Sequence, residues 1–66
     1  MTITAILKNK EYVFTETKDL TVRKVFKKLD ILPETHLCVR EGELITEQEL
    51  LREGDVIRLI AVISGG

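Results

Sequence analysis

Residues Thr2 to Lys8 alternate, with Ile3, Ala5 and Leu7 on one face and Thr2, Thr4, Ile6 and Lys8 on the other. This two-residue period is that of a half-buried strand. Asn9-Lys10-Glu11 reads as a turn, and Tyr12 to Glu16, aromatic and β-branched, as the returning arm of a hairpin with Tyr12 and Phe14 inward. The period then lengthens. Val22, Val25, Phe26 and Leu29 fall at i, i+3, i+4 and i+7, one apolar helical stripe, while Arg23, Lys24, Lys27 and Lys28 occupy the opposite side as a solvated face. Thr21 is placed to cap this helix and Leu20 to staple onto Val25. Pro33 is expected to end the region, since the residue before a proline is driven out of helical conformation.

His36 to Arg40 reads as a third strand. Leu37 and Val39 face the core if His36, Cys38 and Arg40 face outward, and a bulge reverses that parity. Glu41-Gly42-Glu43 turns the chain into a short strand around Leu44 and Ile45. Thr46-Glu47-Gln48-Glu49 matches the T-x-x-E capping box, which predicts a single helical turn carrying Leu50 and Leu51. After the Gly54-Asp55 turn, Val56 to Ile63 is the longest apolar run, broken only by Arg58. The arginine sets its facing, with Ile57, Leu59 and Ala61 inward and Ile60 and Val62 outward. Four strands and one amphipathic helix make an α+β domain, a mixed four- to five-stranded sheet with the main helix on one face. Placing the last strand beside and parallel to the first gives a β-grasp fold over residues 1–63, followed by a tail at 64–66.

Composition narrows the function. Sixty-six residues, 44% of them hydrophobic, suit one small core and leave no volume for a cleft enzyme with its own substrate domain. Ten basic and eleven acidic side chains give a net charge of −1, so neither nucleic acid nor an anionic membrane is the expected partner. One cysteine and one histidine, Cys38 and His36, make neither an internal disulfide nor a four-ligand zinc site. No bound cofactor is expected. The N-terminal residues lack a secretory pattern and no apolar run approaches a membrane span, so the expected location is cytoplasmic. His36 and Cys38, two apart on a strand, stand roughly 6.5–7 Å from each other along the chain, too far for direct proton transfer. Catalysis by the chain itself is therefore not expected, and Cys38 reads as a small apolar residue at the sheet surface or in the core.

The informative chemistry lies in Ser64-Gly65-Gly66. Three residues extend about 10 Å, enough to carry the Gly66 carboxylate into a narrow channel of a partner while the globule stays outside. Glycine at 65 and 66 allows the close backbone approach such a channel demands. A free carboxylate acylates poorly; adenylation by ATP converts it to a mixed anhydride open to sulfur or nitrogen nucleophiles. Against this stands a disordered tail that merely ends in glycine.

The hairpin, Leu20-Thr21-Val22, Pro33-Glu34-Thr35, Glu41-Gly42-Glu43-Leu44, Gly54-Asp55 and Val62-Ile63-Ser64-Gly65-Gly66 together resemble the ubiquitin-like sulfur carriers of the ThiS and MoaD type, over essentially the whole chain. The resemblance implies that Gly66 is adenylated by a ubiquitin-activating-like enzyme, which supplies ATP and Mg, and is converted to a thiocarboxylate. That group donates sulfur for thiamine, molybdopterin or tRNA thiolation. Ser64 and Gly65 become the flexible tail, and the outward surface of Arg58, Ile60 and Val62, with Cys38, becomes the docking surface for the activating enzyme. The chain is then a cosubstrate, with a sulfur donor and a sulfur-accepting enzyme as further partners. Some relatives are also joined to lysines of other proteins, so the rival implication is a modifier conjugated through Gly66. A third reading is a β-grasp interaction module with an inert terminus. Glu41 departs from the asparagine that many relatives carry before the turn glycine.

The near-zero net charge hides an asymmetry. Residues 1–40 carry a net +3 and residues 41–66 a net −4. Glu43, Glu47, Glu49 and Glu53 are thus candidates for steering the chain toward a basic surface, through the association rate.

Overall fold

The computed structural model describes residues 2–62. Strands β1 (Ile3–Leu7), β2 (Lys10–Phe14), β3 (His36–Arg40), β4 (Glu43–Ile45) and β5 (Val56–Ala61) form one five-stranded sheet in the order β2-β1-β5-β3-β4, and helix α1 (Val22–Lys28) joins β2 to β3. β5 lies parallel to β1, with Ala5 beside Ile57 and Leu7 beside Leu59, and antiparallel to β3, with Cys38 opposite Leu59 and Arg40 opposite Ile57. This is the mixed β-grasp sheet expected from the element order. A strand hydrogen-bonded on both sides and apolar at alternate positions belongs at the centre of a sheet, and β5 is that strand.

Both hairpins turn more tightly than the residue pattern indicates. Leu7 pairs with Lys10, leaving Lys8 and Asn9 as a two-residue loop with φ of 51° and 64°. The Asn9-Lys10-Glu11 turn is therefore corrected: Lys10 and Glu11 belong to β2. Likewise Arg40 pairs with Glu43 across Glu41 and Gly42, at φ of 53° and 78°. Two consecutive left-handed residues match the right-handed twist of the flanking strands, the primed-turn solution for short hairpins.

Helix α1 is capped at both ends. The Thr21 hydroxyl accepts from the Lys24 amide at 3.3 Å, as its position indicates. The two amides before it are satisfied by another part of the chain: Val22 N–H donates to the Glu49 carbonyl at 3.1 Å and Arg23 N–H to the Glu47 carbonyl at 2.8 Å. With Val25 N–H donating to the Thr21 carbonyl, each amide of the first turn has an acceptor. At the other end, Asp30 N–H reaches the Lys27 carbonyl and Ile31 N–H the Phe26 carbonyl. Asp30 stands at φ 58°. This is a Schellman closure, so the helix ends at Lys28, before Pro33 acts.

That use of Glu47 and Glu49 overturns the capping box. Thr46 to Glu49 is a β-turn, with the Glu49 amide donating to the Thr46 carbonyl at 3.1 Å, and no helical turn follows. Instead Leu50 bridges Thr21 in antiparallel fashion, and the Leu51 amide donates to the Leu20 carbonyl at 2.7 Å. The segment runs as an extended strap along the helix entrance. Its carbonyls serve α1, and Leu51 enters the core while Leu50 stays exposed.

Ile3, Ala5, Leu20, Val22, Val25, Phe26, Leu51, Ile57 and Leu59 form the core between helix and sheet, with Tyr12 and Phe14 packed at its margin. Cys38 belongs to it as well, being 2% exposed, whereas Leu37 is 43% exposed. The outward placement of Cys38, and its assignment to a docking surface, are therefore corrected. The antiparallel register puts Cys38 opposite buried Leu59 and Leu37 opposite exposed Ile60, so the parity of β3 is the reverse of the one expected. Ala61 also departs from its inward assignment. It is exposed at the end of β5, because a seven-residue helix is only about 10 Å long and covers few sheet rungs.

Arg40, at the end of β3, ties the β3–β4 hairpin to the loop before β5. Its Nη2 donates to Glu49 Oε2 at 2.9 Å and its Nη1 to Asp55 Oδ2 at 3.3 Å. The hydrogen bond to Glu49 holds the guanidinium above its already high pKa, against partial desolvation. Asp55 also accepts the Arg52 amide at 2.9 Å, fixing the turn whose Gly54 amide reaches the Thr2 carbonyl at 2.8 Å.

Two predictions follow from these placements. Glu41 occupies a left-handed position that asparagine tolerates better. Glu41→Asn should stabilise the fold by roughly 0.5–1 kcal/mol, raising Tm by about 2–8 °C in a calorimetric scan, and Glu41→Val should lower it.

Burial pushes the Cys38 thiol up to about 11, with Arg40 opposing. A thiol held neutral in the folded state binds its proton where the unfolded chain has lost it, so stability falls as pH rises from about 9 to about 11. Urea titrations should show that loss, on the order of 2 kcal/mol, and Cys38→Ala should flatten the slope. An equally steep decline in the variant would assign it to other groups.

Candidate functional site

The helix covers one face of the sheet and leaves the other open. Alternation along β5 puts Val56, Arg58 and Ile60 on the open face, each exposed. The register then assembles their neighbours: Arg58 stands between Ile6 of β1 and Val39 of β3, Ile60 beside Leu37, and Val39 beside Leu44 of β4. Val56 is 53%, Ile60 45% and Leu44 66% exposed. The face is a continuous apolar surface on the central strands with one cation at its middle.

Arg58 is enclosed on this surface by four apolar side chains, Ile6 and Val39 across the ladders and Val56 and Ile60 along its own strand. Adjacent strands lie about 4.8 Å apart and same-face neighbours roughly 6.5–7 Å, so all four are within reach of its stem. Among the described residues it makes no salt bridge and no side-chain hydrogen bond. A shallow groove between β1 and β5 is lined by Ile6, Lys8, Asn9, Arg58 and Ile60, and a second, toward β3, by Val39, Glu41, Val56 and Arg58.

Arg58, Ile60 and Val62 thus stand where the alternation of the last strand indicates, all exposed, with the Val62 amide donating to the Thr35 carbonyl at 2.7 Å. Cys38 lies on the opposite, helix-covered face and is not brought together with them. Ser64, Gly65 and Gly66 lie outside the described residues. Leu37, Val39 and Leu44 are members of the open face that the residue pattern did not assign to it. The signal for the first two was available in Cys38, because cysteine is among the residue types most often buried, which argues for the reversed parity.

The steering glutamates divide. Glu49 is held by Arg40 and Glu53 accepts from the Thr17 hydroxyl at 3.2 Å, whereas no side-chain bond engages Glu43 or Glu47 among the described residues. On the far side of the molecule Arg23, Lys24, Lys27 and Lys28 form the exposed basic face of α1. No group of three His, Cys, Asp or Glu side chains among the described residues is arranged to hold a metal ion. No described helix is long and apolar enough to cross a membrane.

Comparison with solved structures gives the same architecture. A computationally designed protein built on the template of human erythrocytic ubiquitin, solved by NMR, superposes with a TM-score of 0.70 at 23% identity, covering 98% of this chain and 95% of that one. A ubiquitin-like protein from the hyperthermophilic archaeon Caldiarchaeum subterraneum superposes at 0.54 with 19% identity, over 97% and 96% of the two chains. These are likenesses of fold. In sequence, 45 residues are 40% identical to the sulfur carrier protein TtuB of Thermus thermophilus, spanning 68% of this chain and 69% of the relative. The family model described as the ThiS family matches residues 2–66, which includes the closing Gly65-Gly66. By the extent of that match, the chain belongs to the ThiS family of ubiquitin-like sulfur carriers.

Proposed function

We propose that this chain is a cytoplasmic sulfur carrier that works as a cosubstrate, its Gly66 carboxylate being the group that reacts. The observation that carries the reading is the family match through Gly66, joined to 40% identity with a sulfur carrier protein. A separate adenylating enzyme supplies ATP and Mg. A Gly66 carboxylate oxygen attacks the α-phosphorus of ATP and pyrophosphate leaves, giving an acyl adenylate. A sulfur nucleophile at the sulfide level then attacks the carbonyl carbon, AMP leaves, and the product is a thiocarboxylate. Its sulfur is the cargo delivered to an accepting enzyme.

The division of labour suits the fold. The globule supplies recognition through the open sheet face of Arg58, Ile60 and Val62, while Ser64 and Gly65 carry the reacting group away from it. Gly65 needs no Cβ in a narrow channel, and a substituent there displaces the carboxylate from the nucleotide.

Incubation with ATP, Mg, the cognate adenylating enzyme and sulfide should produce the mass increase of one sulfur-for-oxygen exchange at Gly66, located by fragmentation of the C-terminal peptide. Gly65→Val should lower the rate of that exchange about 100-fold with Tm unchanged. Absence of the exchange under conditions that load a known carrier would refute the proposal. Isopeptide remnants of Gly66 on lysines, with no thiocarboxylate, would assign the chain to the protein modifiers instead.

A further inference from the structure

Arg58 is a cation set among apolar side chains on the open face, and among the described residues it has no salt-bridge or side-chain hydrogen-bond partner. Replacing it with an aliphatic residue would extend the surface of Ile6, Val39, Val56 and Ile60 without a gap. An arginine stem can cover such neighbours, but a methionine would cover them as well. Its charged head is different. When a partner covers this face, the guanidinium is withdrawn from water, and a desolvated cation with no counter-charge weakens binding rather than supporting it.

Among the described residues the surroundings do not supply the counter-charge. The groove toward β1 holds Arg58 and Lys8 and no carboxylate among its lining residues. In the groove toward β3 the acidic side chain is Glu41, which makes no salt bridge with Arg58. Glu11 is opposite Ile6 on β2, two strands and about 10 Å from the position of Arg58. Arg40, by contrast, is saturated by two carboxylates of its own chain. The fold pairs the arginine at the end of β3 and, among the described residues, leaves Arg58 on the open face unpaired.

From this charge complementarity we infer that the partner docking on the open sheet face presents a single carboxylate, set within an apolar surface, that receives the Arg58 guanidinium as a two-pronged hydrogen-bonded pair. Arg58 is then the residue that selects the partner. An apolar surface without the carboxylate is penalised by the stranded cation, and one with a lysine there is repelled. The fork geometry of arginine matches a carboxylate in a way that the point charge of lysine does not. The inference rests on the carrier reading and specifies the chemistry of the adenylating enzyme's docking surface. Arg58 is a positioning residue, since it holds the carrier in place and does not touch the reacting atoms.

The test is binding of the full chain to its cognate adenylating enzyme by biolayer interferometry, with loading of Gly66 measured in parallel. Arg58→Met should weaken binding at least 10-fold, mostly through faster dissociation, because it strands a buried carboxylate on the enzyme. Arg58→Lys should fall between the variant and the native chain. In the loading reaction Arg58→Met should raise KM for the carrier and leave kcat within about 2-fold. Glu41→Gln should bind like the native chain. Binding of Arg58→Met within 10-fold of native, or a loss carried by slower, salt-dependent association, would place Arg58 at a solvated rim and overturn the inference. An equal loss in Glu41→Gln would assign the counter-charge to this chain and overturn it too. A native chain that is loaded while Arg58→Met binds normally leaves the carrier reading standing; a native chain that is neither bound nor loaded removes both.

Discussion

β5 lies between β1 and β3, and its alternation divides the molecule. Ile57 and Leu59 point toward α1 and, with Ala5, Leu7 and Cys38 as ladder neighbours, build the middle of the core. Arg58 and Ile60 point the other way and build the open face. A strand has a side-chain period of two, so these assignments are linked: a one-residue slip of β5 would bury Arg58 and expose Ile57. The cost of burying an unpaired guanidinium fixes the register, and the register fixes the surface offered to a partner. In a chain with no disulfide among its described residues, a core this small depends on that choice being unambiguous.

The strap at 46–51 extends the same logic to the helix. A seven-residue helix is too short to be stable by itself, and its first amides would be unsatisfied if the chain after β4 coiled into a helical turn of its own. By making a β-turn and then running extended, that segment gives the carbonyls of Glu49 and Glu47 to the amides of Val22 and Arg23 and sends Leu51 into the core. Arg40 then holds Glu49 and Asp55 from the sheet side. Helix, strap and β5 entrance are thereby joined by hydrogen bonds whose partners are far apart in sequence.

Such long-range bonds explain which features were legible beforehand. The strand β1, the Thr21 cap, the helical stripe and the two faces of β5 up to Ile60 follow from local period and local chemistry, and they stand as read; Ala61 does not. The T-x-x-E box failed because a local motif competed with tertiary acceptors that no nearby residue announces. The facing of β3 failed because Leu37 and Val39 are as apolar as the core requires, leaving the tendency of cysteine to be buried as the one local cue to the parity that the pairing of Cys38 with Leu59 fixes. The hairpin turn came out earlier and shorter than expected, with Lys10 and Glu11 in β2, because Lys8 adopts a left-handed conformation that its residue type does not advertise. Of the proposed docking surface, Arg58, Ile60 and Val62 were readable from one strand. Leu37 and Val39 needed the inward facing of Cys38, and Leu44 the sheet order.

The central claim is that one side of β5 holds the fold while the other meets the partner. Cross-saturation NMR, with the adenylating enzyme irradiated and the carrier methyls observed, tests it most directly. The account predicts saturation transfer to Ile6, Leu37, Val39, Val56 and Ile60 and none to Leu32 or Leu50. Transfer confined to Leu32 and Leu50, with the sheet methyls unaffected, would contradict it.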